Sequence, residues 1–470
     1  MKRGIDQSVE KTLRALLGEA KVLIRPGILD RYAGDALGSF RAFHAAPLLE
    51  ALPDVVVIPE TVEEVAAVVK LASEHRIPLV PYGGGTGVMG GAVPVNGGIV
   101  LDLKGLNRIL KISPQDRAAS VEAGVILEDL EMALNGEGLR LGHDPWSRPI
   151  ATVGGAIATN GVGYLVAKYG PMGNQVLGLE VVLPNGEILA TRGVPKAAGP
   201  SLHHLFIGSE GVFGIVTKAT LQVFPLPEKR SLSALAFRSF DDGFHAVMEL
   251  YRIGLQPSVV DFAEEPPFLP SSPHVTLYLG FEGLEEEVKA LEKRALQICQ
   301  HFGGTDLGTE KAAEFWKTRH RLAERYRKFL LNRPASTRRR LLSWPPFDYL
   351  HVALPASSVF EYRRRCQAIL EAHGLSIKEW SLWGRPEFFS LLIYDIGFSG
   401  RKGQERMGRA VDEMIALAQD LGGSMEYCHG VGLKLAHLME REWGKGLEVM
   451  RSLKQALDPL NIMNPGKLAL

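Results

Sequence analysis

Apolar and polar positions follow a strand, helix, strand order early in the chain. The apolar run VVVIP (55–59) precedes Thr61 and Glu64, whose spacing is that of a capping box, so a helix is predicted over VEEVAAVVKLASEHR (62–76). The next run, IPLVPY (77–82), is short and apolar and predicts a returning strand. The pattern therefore predicts a βαβ unit.

A second unit follows, with a strand predicted near RAASVEAGV (117–125) and a helix over LEDLEMALNGEG (127–138). The segment LGLEVVLPNGEIL (177–189) predicts two strands joined by an Asn-Gly turn. Glycine-rich stretches lie at 149–170 and 208–227. We therefore expect an α/β scaffold from which three glycine-bearing loops extend.

The pattern changes after the Pro-bounded segment PLPEKR (225–230). Four times a β-like run leads into an amphipathic helix with glycine at or near its end, which predicts an antiparallel sheet with helices on one face. These runs are LSALAFRSF (232–240), VTLYLGF (275–281), YLHVALP (349–355) and SLLIYDI (390–396). The last residues carry HGVGLK and NPGKL, which look like further loops of the first domain. The predicted domains are 1–226, a cap at 227–425, and a returning segment at 426–470.

One glycine run, PLVPYGGGTGVMGGAV (78–93), contains Gly85, Gly87 and Gly90 in the order GxGxxG. That fingerprint requires a helix after the glycines, whereas AVPVNGGIVLDL (92–103) predicts a loop that returns into a strand. A Walker A loop is excluded because no Lys followed by Ser or Thr comes next. The run instead predicts a nest of backbone N–H groups suited to an anion, with a glycine-rich turn at a sheet edge as the plain alternative.

Composition narrows the class of protein. The 470 residues are 46% hydrophobic and 23% charged, as expected for a globular chain of about two domains. Lys plus Arg equals Asp plus Glu at 53 each, so no overall charge favours nucleic acid or an anionic membrane. The three cysteines form no CxxC, which fits a reducing compartment. The first 20 residues lack the apolar core of a signal peptide or membrane span, so we expect a cytoplasmic protein.

Seven short motifs, in order and spacing, carry a family resemblance. They are YAGD (32–35), PYGGGTG (81–87), GHDPWS (142–147), TVGG (152–155), GSEGVFGIVTKATL (208–221), HGVG (429–432) and NPGKL (464–468). Together they resemble the FAD-binding family typified by vanillyl-alcohol oxidase and p-cresol methylhydroxylase. The closest likeness is to its branch with the flavin subunit of bacterial glycolate oxidase, D-lactate dehydrogenases and alkyldihydroxyacetonephosphate synthase. The resemblance implies an α+β fold, with a PCMH/VAO-type FAD-binding domain of two α/β subdomains and a cap whose antiparallel sheet is covered by helices.

The resemblance also implies FAD and assigns its contacts. The first glycine loop would bind the pyrophosphate through backbone amides and the Thr86 hydroxyl, the second would line the isoalloxazine and ribityl part, and a third segment the adenine side and flavin edge. The implied residues are Pro81, Tyr82, Gly83, Gly84, Gly85, Thr86, Gly87, Trp146, Thr152, Gly154, Gly155, Asn160, Gly161, Glu210, Gly211, Ile215, Val216 and Thr217. Many members attach flavin covalently through His or Cys, but neither occurs in the loop 81–91, so non-covalent FAD is expected.

The cap departs from the branch at two points. Hydroxy-acid dehydrogenases of this kind usually carry the metal motif HxGDGNxH on a cap strand and a Glu directly before the later HG. The corresponding strand, FFSLLIYDIG (388–397), has no His, and Cys428 precedes His429. No metal is therefore expected. His351 and His437 have no partner in the sequence pattern and are expected to be surface or hydrogen-bonded core residues.

Three residues are predicted to do chemistry. Alkyldihydroxyacetonephosphate synthase has three His before GVG and a Tyr on the cap strand; here His429 matches the last His, and Tyr394 lies on the strand. Arg319, in the arginine-rich segment 315–340, follows a WxxR pattern of related enzymes and would bind a carboxylate or phosphate, with a structural ion pair as the alternative. Most other arginines there are expected to be solvated.

Three functions remain open at this point. The first is oxidation of a small 2-hydroxy acid, in which His429 or Tyr394 takes the hydroxyl proton while the α-hydrogen leaves as hydride to flavin. The second is a non-redox flavin transferase that exchanges an acyl for an alkyl chain. The third is a non-catalytic flavin-binding subunit of a complex. The expected partner is a small anionic substrate; the electron acceptor and the oligomeric state, a homodimer included, stay open.

Overall fold

The computed structural model describes residues 5–194, 197–265, 275–343, 346–395, 397 and 400–470. The first sheet has the strand order β1-β2-β4-β3, in which β2, β4 and β3 are parallel and β1 is antiparallel to β2. Its strands are β1 Val22–Leu23, β2 Val55–Val57, β3 Leu79–Tyr82 and β4 Ile99–Asp102, and its helices are α1 Gln7–Leu17, α2 Pro26–Leu29 and α3 Val62–His75. Helix α3 connects β2 to β3 and starts at Thr61, whose side chain accepts the backbone N–H of Glu64.

The second sheet is antiparallel, in the order β5-β6-β10-β8-β9, and a short pair, β7 and β11, lies beside it. The strands are β5 Ile109–Ser113, β6 Ala118–Glu122, β7 Leu139–Arg140, β8 Val176–Val182, β9 Ile188–Ala190, β10 Ile215–Gln222 and β11 Phe224–Pro225. The helices are α4 Leu127–Gly136, α5 Val153–Thr159 and α6 Val166–Tyr169. Most buried side chains of this sheet join those of the cap in one apolar core, whereas the first sheet packs around a separate core that also includes Val182 and Ile215 of the second sheet.

The cap is a seven-stranded antiparallel sheet in the order β15-β12-β14-β13-β17-β18-β16. Its strands are β12 Lys229–Phe237, β13 Val259–Glu264, β14 Val275–Gly283, β15 Thr305–Asp306, β16 Phe347–Ala353, β17 Ser376–Trp383 and β18 Phe388–Tyr394. Helices α7 Phe240–Arg252, α8 Glu285–His301, α12 Val359–His373 and α13 Arg401–Asp420 follow the four predicted strand runs. Ile396, the end of the fourth run, lies outside the described residues.

The arginine-rich segment crosses from the cap to the glycine loops as three helices, α9 Thr309–Thr318, α10 Arg321–Phe329 and α11 Ala335–Leu341. Tyr326 donates its hydroxyl to the carbonyl of Gly85 at 3.4 Å. Most arginines of this segment are exposed, as expected, but Arg338 and Arg339 are buried and donate to backbone carbonyls of residues 31–34. Their burial fixes the position of the YAGD motif against the cap.

The C-terminal residues return to the first domain through α14 Met439–Trp443 and α15 Lys445–Leu457. Met463 forms a parallel bridge with Leu79, at the start of β3. Asn464 donates its side-chain amide to the carbonyls of Gly91 and Glu210, at 2.9 and 2.7 Å. The end of the chain therefore lies against the glycine loops.

Candidate functional site

A cavity of about 1350 Å³, its open mouth included, lies where the glycine loops meet the C-terminal segment. Most of its wall comes from the first glycine loop, the second, the segment around Glu210, and Cys428 with His429, and Asp35, Leu103 and Ala123 complete it. Of the residues predicted to contact FAD, the following line it: Pro81, Tyr82, Gly83, Gly84, Gly85, Thr86, Gly87, Trp146, Thr152, Gly154, Gly155, Gly161, Glu210, Gly211, Ile215 and Val216. Residues distant in the sequence thus converge on one space.

The first glycine loop leaves β3 without entering a helix and returns through β4. Among the described residues, none accepts a hydrogen bond from the backbone N–H groups of Gly83 to Gly87. Five donors without a protein acceptor at a cavity wall are suited to an anion such as pyrophosphate. Because no helix starts after these glycines, the GxGxxG match is accidental.

The glycines at 83 and 84 are required by packing of the two loops. A Cβ on Gly83 would lie 2.4 Å from Oγ1 of Thr152, and one on Gly84 would lie 2.4 Å from the carbonyl oxygen of Ile150. The added atoms would collide with the second glycine loop, so glycine at both positions is required whether or not the cavity is filled.

The second loop is ordered by a cap and by buried polar groups. Thr152 accepts the backbone N–H of Gly155 at 3.2 Å and starts α5. His143 is buried and borders the cavity, and its Nδ1 has no hydrogen-bond partner among the described residues. Burial lowers the pKa of His143 to about 4, although the carboxylate of Asp144 opposes the shift. The ring is therefore neutral at physiological pH and can donate a hydrogen bond to a bound molecule or accept one from it.

Glu210 connects the cavity wall to the C-terminal loop. Its Oε1 accepts the N–H groups of Val431 and Gly432 at 2.7 and 3.0 Å, and a Cβ on Gly430 would lie 2.6 Å from the same oxygen. Burial raises the pKa of Glu210 to about 7, against the lowering effect of these hydrogen bonds. Glu210 thereby positions the HGVG loop.

His429 lies at the cavity wall beside a carboxylate. Its Nδ1 is 3.7 Å from Oε1 of Glu426, which accepts the backbone N–H groups of Cys428 and His429 at 2.7 and 3.0 Å. Burial lowers the pKa of His429, but the Cys428 thiol and the Glu426 carboxylate outweigh it and raise the pKa well above its ordinary value. Glu426 and His429 thus form a carboxylate–imidazole pair.

His351 and His437 each lie beside residues that the sequence pattern did not associate with them. The ring of His351 lies 4.4 Å from that of His429, edge to face, and burial lowers the pKa of His351 well below its usual value. His351, Glu426 and His429 offer ligand atoms within 4.8 Å of one another, so they are also a candidate group for a metal. His437 bonds to Asp412 at 2.9 Å. Sequence spacing missed both because the partners come from other elements.

A buried cluster of charges lies next to this group. The guanidinium of Arg41 lies 3.8 Å from the ring centre of Tyr349, and that ring lies 5.6 Å from the ring of His429. Arg41 and Lys434 share the carboxylate of Asp348, at 2.6 and 2.8 Å, and all three are buried. Burial lowers the pKa of Lys434 to about 8, although the carboxylates of Asp348 and Glu426 oppose the shift. Within the described residues, Nη2 of Arg41 has no hydrogen-bond partner. The cluster can attract an anion toward His429.

Two of the three predicted catalytic residues lie away from the cavity wall. Arg319 donates Nε to Asp144 at 2.9 Å and Nη1 to the carbonyl of Trp316, so the structure supports the ion-pair alternative. Tyr394 lies at the end of β18, where it pairs with residues of β16 and β17. The β18 residue opposite His351 is Ser390, four positions before Tyr394. His429 alone of the three borders the cavity.

Two predicted FAD contacts also lie outside the lining. Asn160 ends α5 in the left-handed conformation and accepts the N–H of Gly173 at 2.9 Å, while Thr217 is buried in β10 and bonds to Glu180. Conversely, the cavity is lined by polar or ionisable residues that we did not predict: Asp35, His143, Ser147, Thr159, Ser209 and Cys428. Asp35, His143 and Ser147 belong to the YAGD and GHDPWS motifs, so those motifs were the available signal.

Family models match most of the chain. A model described as an FAD binding domain matches residues 53–192, and one described as the C-terminal domain of FAD linked oxidases matches residues 226–468. The chain is 32% identical over 441 residues to the glycolate oxidase subunit GlcD of Bacillus subtilis (strain 168), covering 91% of each chain. It is 32% identical over 432 residues to a D-lactate dehydrogenase of Archaeoglobus fulgidus, covering 88% of this chain and 91% of that one.

The fold is that of a known structural group. A solved alkyldihydroxyacetonephosphate synthase superposes with a TM-score of 0.76 over 98% of this chain and 85% of its own, at 21% sequence identity. At this identity the likeness concerns the fold, which agrees with the expected PCMH/VAO-type architecture. Within the described residues, every helix is too short or too polar to cross a membrane.

Proposed function

Because the chain belongs to the family of FAD-linked oxidases, we propose that it oxidises a small anionic 2-hydroxy acid of the glycolate or D-lactate type. The protein is an FAD-dependent oxidoreductase. The first glycine loop, which contains neither His nor Cys, would hold the FAD without a covalent bond. FAD supplies the two-electron acceptor for a hydride, so the protein must bind the substrate, orient its C–H bond and remove a proton.

The residues of the cavity fit this cofactor. The free N–H groups of Gly83 to Gly87 would bind the pyrophosphate, and the unpartnered Nδ1 of His143 would meet a polar atom of the bound cofactor or substrate. An orphaned nitrogen on a buried ring at the wall is costly unless a bound group or water satisfies it. Both observations therefore support a large, polyanionic ligand in this cavity.

The position of His429 is the observation that carries the proposed reaction. Neutral His429 would accept the hydroxyl proton of the substrate while the α-hydrogen leaves with its electron pair for the flavin, giving a 2-oxo acid. Glu426 orients the ring and stabilises the imidazolium that forms. Because Oε1 of Glu426 already accepts two backbone N–H groups, we infer a carboxylate–imidazole pair here rather than a metal site.

Recognition of an anionic substrate is supported by the charge cluster next to His429. Arg41 and Lys434 share the Asp348 carboxylate, and the Glu426 carboxylate also acts on Lys434. The three residues of the cluster lie behind the cavity wall rather than in its lining, so the cluster would act on a substrate carboxylate through its electric field. We therefore infer that this cluster, rather than Arg319, favours the substrate anion.

Anaerobic mixing of the purified holoprotein with a panel of 2-hydroxy acids tests the function, with flavin bleaching as the signal. We expect bleaching by at least one small member, and His429→Asn should slow it by about a hundredfold or more with unchanged flavin content. His75→Asn, on the exposed end of α3, is the matched control and should bleach normally.

Absence of bleaching with every acid, in a protein that retains its flavin, would contradict the proposal. The next candidate is then a non-redox transferase of the alkyldihydroxyacetonephosphate synthase type, since β18 lacks the His-containing motif that is usual in hydroxy-acid dehydrogenases. Exchange of an acyl for an alkyl chain without net electron transfer would establish it. Near-native bleaching by His429→Asn would instead support oxidation of a 2-hydroxy acid but contradict the assignment of His429 as the base.

A further inference from the structure

Three distant segments bring two imidazoles and a carboxylate together on the surface, away from the flavin cavity. His44 lies in a 3-10 segment, Ser39–Glu50, Asp412 in the cap helix α13, and His437 in the short turn Ala436–Leu438. Nε2 of His44 is 2.8 Å from Oδ2 of Asp412, and Nε2 of His437 is 2.9 Å from Oδ1. The two rings lie 4.2 Å apart. One carboxylate is thus flanked by an imidazole on each oxygen.

The arrangement is fixed by packing beneath it. Gly408, one turn before Asp412, allows α13 to approach Phe43, since a Cβ there would lie 3.2 Å from the Phe43 ring. Gln404 of the same helix donates to the carbonyl of Ser39 at 2.7 Å. His44 and Asp412 are therefore carried by backbones already held in register, and little ordering is needed to bring their side chains together.

We propose that His44, Asp412 and His437 bind one divalent transition metal ion of the zinc class. Each residue offers one ligand atom, and these atoms lie within 4.8 Å of one another. Two imidazole nitrogens and one carboxylate oxygen match the preferences of zinc, whereas magnesium and calcium favour oxygen alone. The side chains are 53%, 28% and 30% exposed, so water has access to complete the coordination.

The ion would link the first domain, the cap and the C-terminal segment at one point. This role goes beyond the proposed oxidation, because none of the three residues lines the flavin cavity. Without an ion, the same groups would form exposed histidine–carboxylate hydrogen bonds, which contribute little to stability. Metal binding should therefore stabilise the folded protein strongly, whereas the hydrogen bonds alone should not.

Calorimetric titration of zinc into tag-free, chelator-treated holoprotein tests the proposal, together with the thermal unfolding midpoint. We expect one zinc ion per chain at this site and a midpoint that rises with zinc. His437→Gln and, as a second variant, Asp412→Asn should each weaken binding by at least about tenfold and abolish the rise. Turnover and flavin content should not change.

His351→Gln is the matched control, because His351 belongs to the other group of potential ligands. It should leave zinc affinity and the midpoint shift intact. Failure of the parent protein to bind zinc would overturn the proposal, and so would equal binding by the parent and both site variants. Loss of binding in His351→Gln alone would place the metal beside the flavin cavity and would also overturn it.

Discussion

Replacement of Glu426 by Gln gives a direct test of how His429 is tuned. Glutamine keeps the size of the side chain and an oxygen that can accept the backbone N–H groups of Cys428 and His429, but it removes the negative charge 3.7 Å from Nδ1. The Cys428 thiol and the Glu426 carboxylate raise the pKa of His429 against the effect of burial. Loss of Glu426 should therefore lower that pKa.

Coulomb's law sets the size of the effect. Opposite charges about 4 Å apart attract by about 1 kcal/mol in water and by about 4 kcal/mol at an effective dielectric constant of about 20. One pKa unit corresponds to about 1.4 kcal/mol, so the pKa of His429 should fall by roughly one to three units. The side chains are 15% and 7% exposed, which favours the upper part of this interval.

The direction of the pH dependence follows because only neutral His429 can act as the base. In the parent protein, kcat/KM should rise with pH through a raised pKa, because His429 must lose its proton before it can accept one. In Glu426→Gln the rising limb should move to lower pH, so the variant loses less activity in acid than the parent does. Steady-state kinetics across the acid and alkaline range, with bound flavin measured in parallel, give this limb.

Glu448→Gln, an exposed carboxylate on α15, is the control and should leave the profile unchanged. Cys428→Ser should also lower the pKa, since the thiol acts in the same direction. An unmoved limb in Glu426→Gln, in a protein with full flavin content, would refute the assignment of the limb to His429.

Four further outcomes are expected. Acid precipitation should release intact FAD into the supernatant, and colour retained by the washed pellet would contradict non-covalent binding. Removal of divalent metal by a chelator should leave turnover unchanged, and loss of activity restored by one metal would contradict this. Gly84→Ala should lower flavin content, because its Cβ would lie 2.4 Å from a backbone carbonyl oxygen. Gly91→Ala should be tolerated, because its Cβ would lie 3.4 Å from a side-chain oxygen, and equal flavin content in the two variants would contradict the packing argument. Asp144→Asn should cost about 3–5 kcal/mol, because the buried Asp144 carboxylate pairs with the largely buried Arg319 and also with Arg148 and His320. It should lower the unfolding midpoint, whereas exposed Asp116→Asn should not, and equal midpoints would mean that these pairs are not stabilising.

Local pattern predicted the parts of the fold that local forces determine. The helix 62–75 begins at Thr61 as its capping box indicated, and each of the four cap helices follows its strand. Strands β13 and β17 were missed because their apolar positions alternate poorly. In β17, SIKEWSLW has charged residues at the start and a register shift between Ile377 and Glu379, so its period of two is broken.

Site residues whose position depends on distant partners could not be assigned from sequence. Arg319 is drawn to Asp144, 175 positions away, so a residue type suited to a substrate carboxylate is occupied by a protein carboxylate instead. Arg41 lacks any motif around it, yet it lies against Tyr349 near His429 because Asp348, 307 positions away, holds it there. Ion pairs between residues distant in the sequence, rather than the local sequence pattern, therefore determine which cationic side chain lies near His429.

The same reasoning explains why Glu210 is important to His429 although the two are far apart in the sequence. The pKa of Glu210 is raised to about 7, above its value in an unfolded chain, so its ionised form costs stability at higher pH and the cost is relieved as pH falls through about 7. The cost is of order 3 kcal/mol. A buried carboxylate with this penalty does not serve overall stability. Its hydrogen bonds to Val431 and Gly432 instead fix the loop that carries His429 against the glycine loop of the cofactor, so binding and proton transfer share one anchor.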